Sequence, residues 1–494
     1  MSFVDPVFLF VFLPLALAGY QLIMPQQRDS PLSGMRFLAM VSTAFYACWD
    51  IRFLPILLFS TLINFGAAKA IFLAHNSRKK ILLVLILTAN LSLLALFKYT
   101  AFALQTVAAM LDMAVVAPTM ILPLGISFFT FTQIAYVVDV YRGSLPEERF
   151  VCYFLFVTWF PHLIAGPILH HREMMPQFYT ALKAPLQRDH LATGLTWVAV
   201  GLFKKAVLAD GMAHLATPLF QGASAGALPG WVAAWSGLSA YALQLYFDFS
   251  GYCDMAVGLS YLFGVRMPLN FNAPYKAVSI MDFWSRWHIT LSRFLRDYLY
   301  IPLGGNRLGE VRKAVNIMLV MLLGGLWHGA GWTFIVWGGL HGCYILINHL
   351  WRARRVPDSR LMRSVGPVLT VLAVVFAWTF FRASDLPTAI RISRGLFGLN
   401  GMVTPIDAVQ PFALPEVRSV LYMLLLWVVV CWFPNSQQIL ARTEAFLGQR
   451  SEPARGLFQW QPNAMYAIVG GVVLAMGLFN LLFSPVGEFL YFQF

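Results

Sequence analysis

The chain has 494 residues, 59% of them hydrophobic and only 12% charged. Soluble globular chains carry about 25% charged residues, so the composition excludes a water-facing surface of ordinary size, and lipid has to solvate much of the exterior. The formal charge of +13, from 35 basic and 22 acidic residues, sits largely in short loops between apolar runs; that pattern fits loops retained on the cytoplasmic side of a membrane, facing anionic lipids, and not a nucleic-acid partner.

A spanning helix needs about 20 mostly apolar residues. Candidate runs, in chain order, are 6–24, 37–49, 52–74, 81–97, 100–113, 119–138, 150–169, 192–216, 231–263, 314–327, 331–350, 367–382, 418–433 and 464–482. Several are too short to cross alone, so the pattern predicts an all-α polytopic membrane protein with roughly eleven to thirteen crossings plus re-entrant or interfacial pieces. The first run lacks a basic flank and a small-residue cleavage site and reads as a retained helix. The basic loops at Arg78–Lys80 and Arg352–Arg363 read as cytoplasmic. No repeat recurs at a fixed period, which weighs against a transporter of polysaccharide or lipid built from inverted halves. The whole chain reads as one membrane domain, with N-terminal helices over 1–113, a core over 114–350, C-terminal helices over 351–482 and a tail over 483–494. The five cysteines are scattered and suggest neither a disulfide framework nor a metal site.

Ionisable residues inside apolar runs are the candidates for chemistry. His162, between Pro161 and Gly166-Pro167, reads as a structural histidine at a kinked helix end. His170, His171 and Glu173 resemble a metal cluster only on paper, because adjacent residues on a helix point about 100° apart. Lys204 and Lys205 either snorkel to the interface or meet donor phosphates. Asp248 and Asp254 are six residues apart, leaving them about 240° around a helix unless Gly251 breaks it; each reads as a pin to a neighbouring helix. Residues 277–313 are aromatic yet dense in charge. Read as a helix, they place Trp284, His288 and Leu291 on one face and gather Arg286, Arg293 and Arg296 on another, at the interface or along a water-filled cavity. The arginines are candidates for the phosphates of a donor.

The sharpest signal is LLGGLWHGAGW at 322–332, where His328 ends an apolar run among glycines. A neutral imidazole there suits a general base that activates a hydroxyl; a packed histidine satisfied by a carbonyl fits the spacing equally well. His288 either polarises an acyl carbonyl beside it or is an interfacial histidine. His341 and Cys343 read as packing. The last six residues, FLYFQF, hold four aromatics that would be costly to leave in water, so they should dock onto the protein or the interface, with Tyr491 carrying the only hydroxyl.

FDFSGYCDMAVG, FWSRWHITLSRFLRDYLYIPLGGNR, LLGGLWHGAGWTFIVWGGLHG and FLYFQF together resemble the membrane-bound O-acyltransferase superfamily, in particular its bacterial alginate O-acetyltransferase type. The resemblance runs from VFLFVFLPL at the N-terminus to the tail. It implies a ring of helices around a central funnel in the bacterial inner membrane, with His328 as the catalytic histidine, His288 as the second family position, and Tyr491 as an acyl relay. It also implies a thioester donor, acetyl-CoA or an acyl carrier, with no bound cofactor and no metal. The acceptor would be an exopolysaccharide such as alginate or cellulose, reached with an SGNH-type extracytoplasmic partner. Peptidoglycan O-acetylation and D-alanyl transfer to teichoic acid are the sister activities. Cys253 stands where the family pattern usually has serine, and His170-His171 where it has other residues.

Overall fold

The computed structural model describes all residues except 25–30, 115, 117, 119, 184, 355–359, 403–416, 444, 448–452, 485, 486, 488 and 491–494. Among the described residues the protein is all-α apart from two short strands, Met267–Pro268 and Phe446–Leu447, which pair in parallel. It divides into two compact units interleaved along the chain. One comprises Met1–Ala199, Tyr252–Leu269 and Thr443–Gly448, and the other Val200–Gly251, Asn270–Arg442 and Gln449–Phe494.

Among the described residues, five helical stretches are long and apolar enough to cross a membrane: Pro31–Leu73, Asn76–Lys98, Arg188–Ser224, Ser364–Arg382 and Ala464–Phe483. Four shorter apolar helices accompany them: Phe8–Ile23, Thr100–Met110, Ile126–Tyr141 and Val417–Trp432. The expected runs 37–49 and 52–74 join into one stretch. Asp50, in an extended conformation, accepts a hydrogen bond from the Arg52 amide and caps the single tighter turn Ile51–Phe53 that links them. The expected run 314–327 belongs to a helix, Glu310–His328, whose first turn carries Glu310, Arg312 and Lys313, and this opening sets it apart from the five.

In the first unit, Leu58, Phe59, Leu62, Val84, Leu85 and Leu91 point outward from two neighbouring helices, a surface that lipid and not water can cover. Between those helices lies the opposite chemistry. Asn64 and Asn90 exchange amide hydrogen bonds of 3.1 and 2.8 Å, and from a third helix, Ile126–Tyr141, Gln133 donates to Ser60 at 3.0 Å. Helices in lipid gain nothing from burying leucine against leucine, so buried amides and close packing carry their association. Replacing Asn64 with leucine should therefore destabilise the unit by about 0.6–2 kcal/mol, read as a lower melting temperature in detergent. Adding Asn90→Leu should cost less than it does alone, because the two changes remove one shared contact.

The second unit carries a helical hairpin, Glu310–His328 followed by Trp332–Ala353. Its two arms cross at backbone contact. A Cβ on Gly325 would run into the Phe334 carbonyl, and one on Gly338 into the Met321 carbonyl. These two glycines let the helices approach as small residues do in membranes, and the hairpin fixes His328 at the end of its first arm. The helix ending at Arg382 packs against the second arm and brings Trp378 and Phe381 to the same end.

Candidate active site

His328 is the last residue of its helix and is only 5% exposed. Three aromatic rings meet its imidazole edge-on: Trp327 at 4.9 Å, Trp337 at 5.1 Å and Phe381 at 5.2 Å between centroids. The glycine after it is required by space and not by backbone angle. Gly329 is extended, and a Cβ there would collide with the ring of Phe334. The glycines of the motif thus serve the protein's own packing: Gly325 the helix crossing, Gly329 the aromatic wall.

The His288 imidazole lies 6.2 Å from that of His328, ring centre to ring centre, and is fully buried. Its surroundings differ from the continuous helix read from periodicity. The helix Ile280–Arg286 stops, Trp287 is extended, and His288 adopts a left-handed conformation with φ 44° and ψ 53° before a new helix, Ile289–Leu295, begins. Trp284, His288 and Leu291 therefore do not share one helical face, and Arg286 stands on a different helix from Arg293.

A left-handed non-glycine residue costs of order 1–3 kcal/mol and persists only where its neighbours over-determine it. Here Asn270 does so. Its backbone oxygen accepts the Ile289 amide at 3.0 Å. Its side-chain oxygen accepts the Thr290 amide at 3.2 Å and the Thr290 hydroxyl at 2.9 Å. The same oxygen is 3.1 Å from Nδ1 of His288. A backbone N–H can only donate, so the Asn270 atom facing it is the amide oxygen, and Nδ1 of His288 must carry the proton. In the neutral ring, Nε2 then offers a lone pair. Polarising a carbonyl would need an N–H at that position, so the geometry suits His288 to accepting a hydrogen bond. Phe249 closes the site, its ring edge-on to His288 at 5.0 Å.

Burial pushes the His288 imidazole down to about 3, so it is neutral across physiological pH. A histidine whose folded value lies below its unfolded one binds more protons unfolded than folded between the two, and stability falls as pH drops through that window. Thermal stability in detergent should decline as pH is lowered from about 6.5. His288→Asn, a residue tolerant of left-handed backbone, should remove one histidine's share of that decline in melting curves taken across the range, while lowering acyl transfer.

The three arginines each have a carboxylate neighbour. Arg286 bonds Asp282 at 2.8 Å, Arg296 bonds Asp297 at 2.7 Å, and Arg293 lies 4.0 Å from Asp297. These carboxylates offset part of the charge available to a donor phosphate. His341 is buried against Trp284 and Trp337, at 5.1 and 4.8 Å, in keeping with packing. Nε2 of His162 lies 3.2 Å from the Phe156 carbonyl, the contact of a structural histidine. Tyr491 lies outside the described residues. Asn270 is the site residue that pattern reading misses, since an asparagine in a loop 18 residues before its histidine carries no periodic or motif signal.

The site is thus a buried pair of imidazoles walled by aromatic rings, on a scaffold of apolar helices long enough to cross a membrane. The chain belongs to the membrane-bound O-acyltransferase family, whose sequence model matches residues 83–384, a span that includes both histidines. It is an acyltransferase. It is 43% identical over 429 residues to a peptidoglycan O-acetyltransferase of Helicobacter pylori, covering 81% of each chain. It is 40% identical over 407 residues to a probable alginate O-acetylase AlgI of Azotobacter vinelandii, covering 81% of this chain and 79% of that one. A teichoic acid D-alanyltransferase of Bacillus subtilis is 29% identical over 272 residues, covering 52% of this chain and 68% of its own.

Proposed function

We propose that this protein moves an acetyl group from a cytoplasmic thioester, acetyl-CoA or an acyl carrier, across the bacterial inner membrane for O-acetylation of an extracytoplasmic polysaccharide. The observation that carries the reading is the imidazole pair. Rings 6.2 Å apart, one with its proton fixed on Nδ1 by Asn270, present two accepting nitrogens to one reacting centre, where an attacking hydroxyl can donate to His328. His328 takes the proton of the attacking hydroxyl as it adds to the thioester carbonyl, the C–S bond breaks, and the departing thiolate receives a proton. His288, whose Nε2 can only accept, orients a different hydrogen-bond donor beside the reacting centre, such as an N–H of the thioester donor. The aromatic walls exclude water, which would otherwise hydrolyse the acyl donor.

Tyr491 is the proposed first acceptor. Its phenyl ester would then pass the acetyl group to a sugar hydroxyl, with an SGNH-type partner outside the membrane, and the phenol would recover its proton. Only the acyl group crosses, so neither the donor nor the polymer has to enter the lipid.

The O-acetyl reading is supported over D-alanyl transfer by the longer and stronger match to O-acetylating relatives. An exopolysaccharide of the alginate or cellulose kind is the leading acceptor. Peptidoglycan is the second reading, favoured by the 43% identical relative. Membranes supplied with acetyl-labelled acetyl-CoA test the choice. Label in secreted polysaccharide supports the leading reading and label confined to the cell wall the second. A requirement for an aminoacylated carrier, with no transfer from acetyl thioesters, would overturn both.

A further inference from the structure

A second buried polar cluster lies in the same unit, apart from the imidazole pair. Lys205 Nζ sits 2.8 Å from Asp210 Oδ1 and 2.8 Å from Asp248 Oδ1, and the Lys205 and Asp248 side chains are each 1% exposed. Lys205 does not snorkel out of the fold. It lies in a widened, π-helical turn, Lys204–Ala209, which brings it and Asp210, five residues on, into contact. The formal charges sum to one negative. A buried carboxylate beyond the number of cations has to be met by hydrogen-bond donors.

The donors come from the C-terminal segment. Asp248 Oδ2 accepts the Leu490 amide at 3.1 Å. Asp210 accepts the Gly487 amide, and a Cβ on Gly487 would stand only 3.3 Å from Asp210 Oδ1. The Phe489 ring lies 5.8 Å from the Lys205 ammonium, and Phe489 and Leu490 are 3% and 5% exposed. Asp248 is followed by Phe249, whose ring touches His288. Consecutive residues of one helix thus hold the tail and wall the imidazole.

We propose that Lys205, Asp210 and Asp248 form a receptor for the chain's own C-terminal segment, and that this clamp sets where Tyr491 stands relative to the imidazole pair. Tyr491 follows Leu490 directly, so fixing the Leu490 amide fixes the start of residue 491 to within one peptide unit, about 3.8 Å. An apolar groove would hold the aromatic side chains but let them slip by a residue. A carboxylate that reads one particular amide sets the register. The positioning purpose rests on the acyl-Tyr491 reading; the docking itself does not.

Hydrogen–deuterium exchange of the full-length protein in lipid nanodiscs, followed by mass spectrometry of the C-terminal peptide, tests it alongside polymer acetylation. In the unaltered chain the tail amides should exchange at least about tenfold more slowly than those of an unstructured peptide. Asp248→Ala should abolish that protection and lower the kcat of polymer acetylation at least tenfold, with the KM for the donor unchanged. Asp248→Asn, which keeps an accepting oxygen, should restore part of both. Leu490→Pro removes the donated N–H together with the leucine side chain, lies outside the helix that carries Asp248, and should reproduce the loss of tail protection seen in Asp248→Ala, which keeps the test open if Asp248→Ala folds poorly. Tail protection that survives both Asp248→Ala and Leu490→Pro would overturn the docking. Release of the tail with acetylation unchanged would overturn the positioning role. Tyr491→Phe should keep the tail protected; full acetylation in that variant would refute the relay, while the exchange data would still decide the docking.

Discussion

Replacing His328 with alanine is expected to lower acetyl transfer by about 10²–10⁴-fold, the usual contribution of a positioned general base, or about 2.7–5.5 kcal/mol of barrier. The effect should appear in kcat, because the proton moves only in the transition state. The imidazole also fills space among Trp327, Trp337 and Phe381, so alanine leaves a cavity and some stability is lost with it. His328→Gln, which retains most of the volume, separates the two effects. It should melt close to the unaltered protein and remain as inactive as the alanine variant. Transfer of acetyl label from acetyl-CoA in solubilised membranes, with melting curves on the same preparations, provides the check.

Replacing Tyr491 with phenylalanine is expected to reduce polymer acetylation to the background of membranes without the protein. The change removes one oxygen and keeps the aromatic ring. A thioester is a more energetic acyl carrier than an alkyl ester. A phenyl ester lies between, since phenoxide, with a pKa near about 10, leaves more readily than alkoxide. The sequence thioester, acyl-Tyr491, sugar ester therefore runs downhill at each step. In the proposed relay, loss of the phenol would leave the acetyl group without a carrier between the two faces of the membrane, whereas donor affinity should be untouched. Equilibrium binding of acetyl-CoA beside polymer acetylation, measured on the same variant, reads both halves of that expectation.

Periodicity and composition were enough to read most of the helices, since a membrane helix is written locally as a run of apolar residues, although the run 150–169 breaks at Trp159 and the run 119–138 becomes helical only from Ile126; His328 was legible as a lone ionisable residue ending such a run. What escaped is long-range or aperiodic. The break at Trp287–His288 is invisible to a 3.6-residue pattern, because a single left-handed residue leaves the apolar spacing on either side intact. Its cause, Asn270, lies in a loop. Asp248 and Asp254 do face apart, on a helix that runs unbroken through Gly251, but that Asp248 holds Lys205 and an amide 242 residues later cannot be inferred from local sequence. The cluster of glycines around His328 was legible, but not what it serves. Which partner approaches, the facing helix and the ring of Phe334, is decided by tertiary packing.

In the proposed reaction the His328 imidazole drives transfer from a thioester to a hydroxyl carried by this chain. Purified protein incubated with acetyl-CoA, then digested, should yield a C-terminal peptide heavier by one acetyl group, with the modification on Tyr491 and none in the His328→Ala variant. An unmodified tail in a preparation that acetylates polymer, or a tail modified to the same extent without His328, would contradict it.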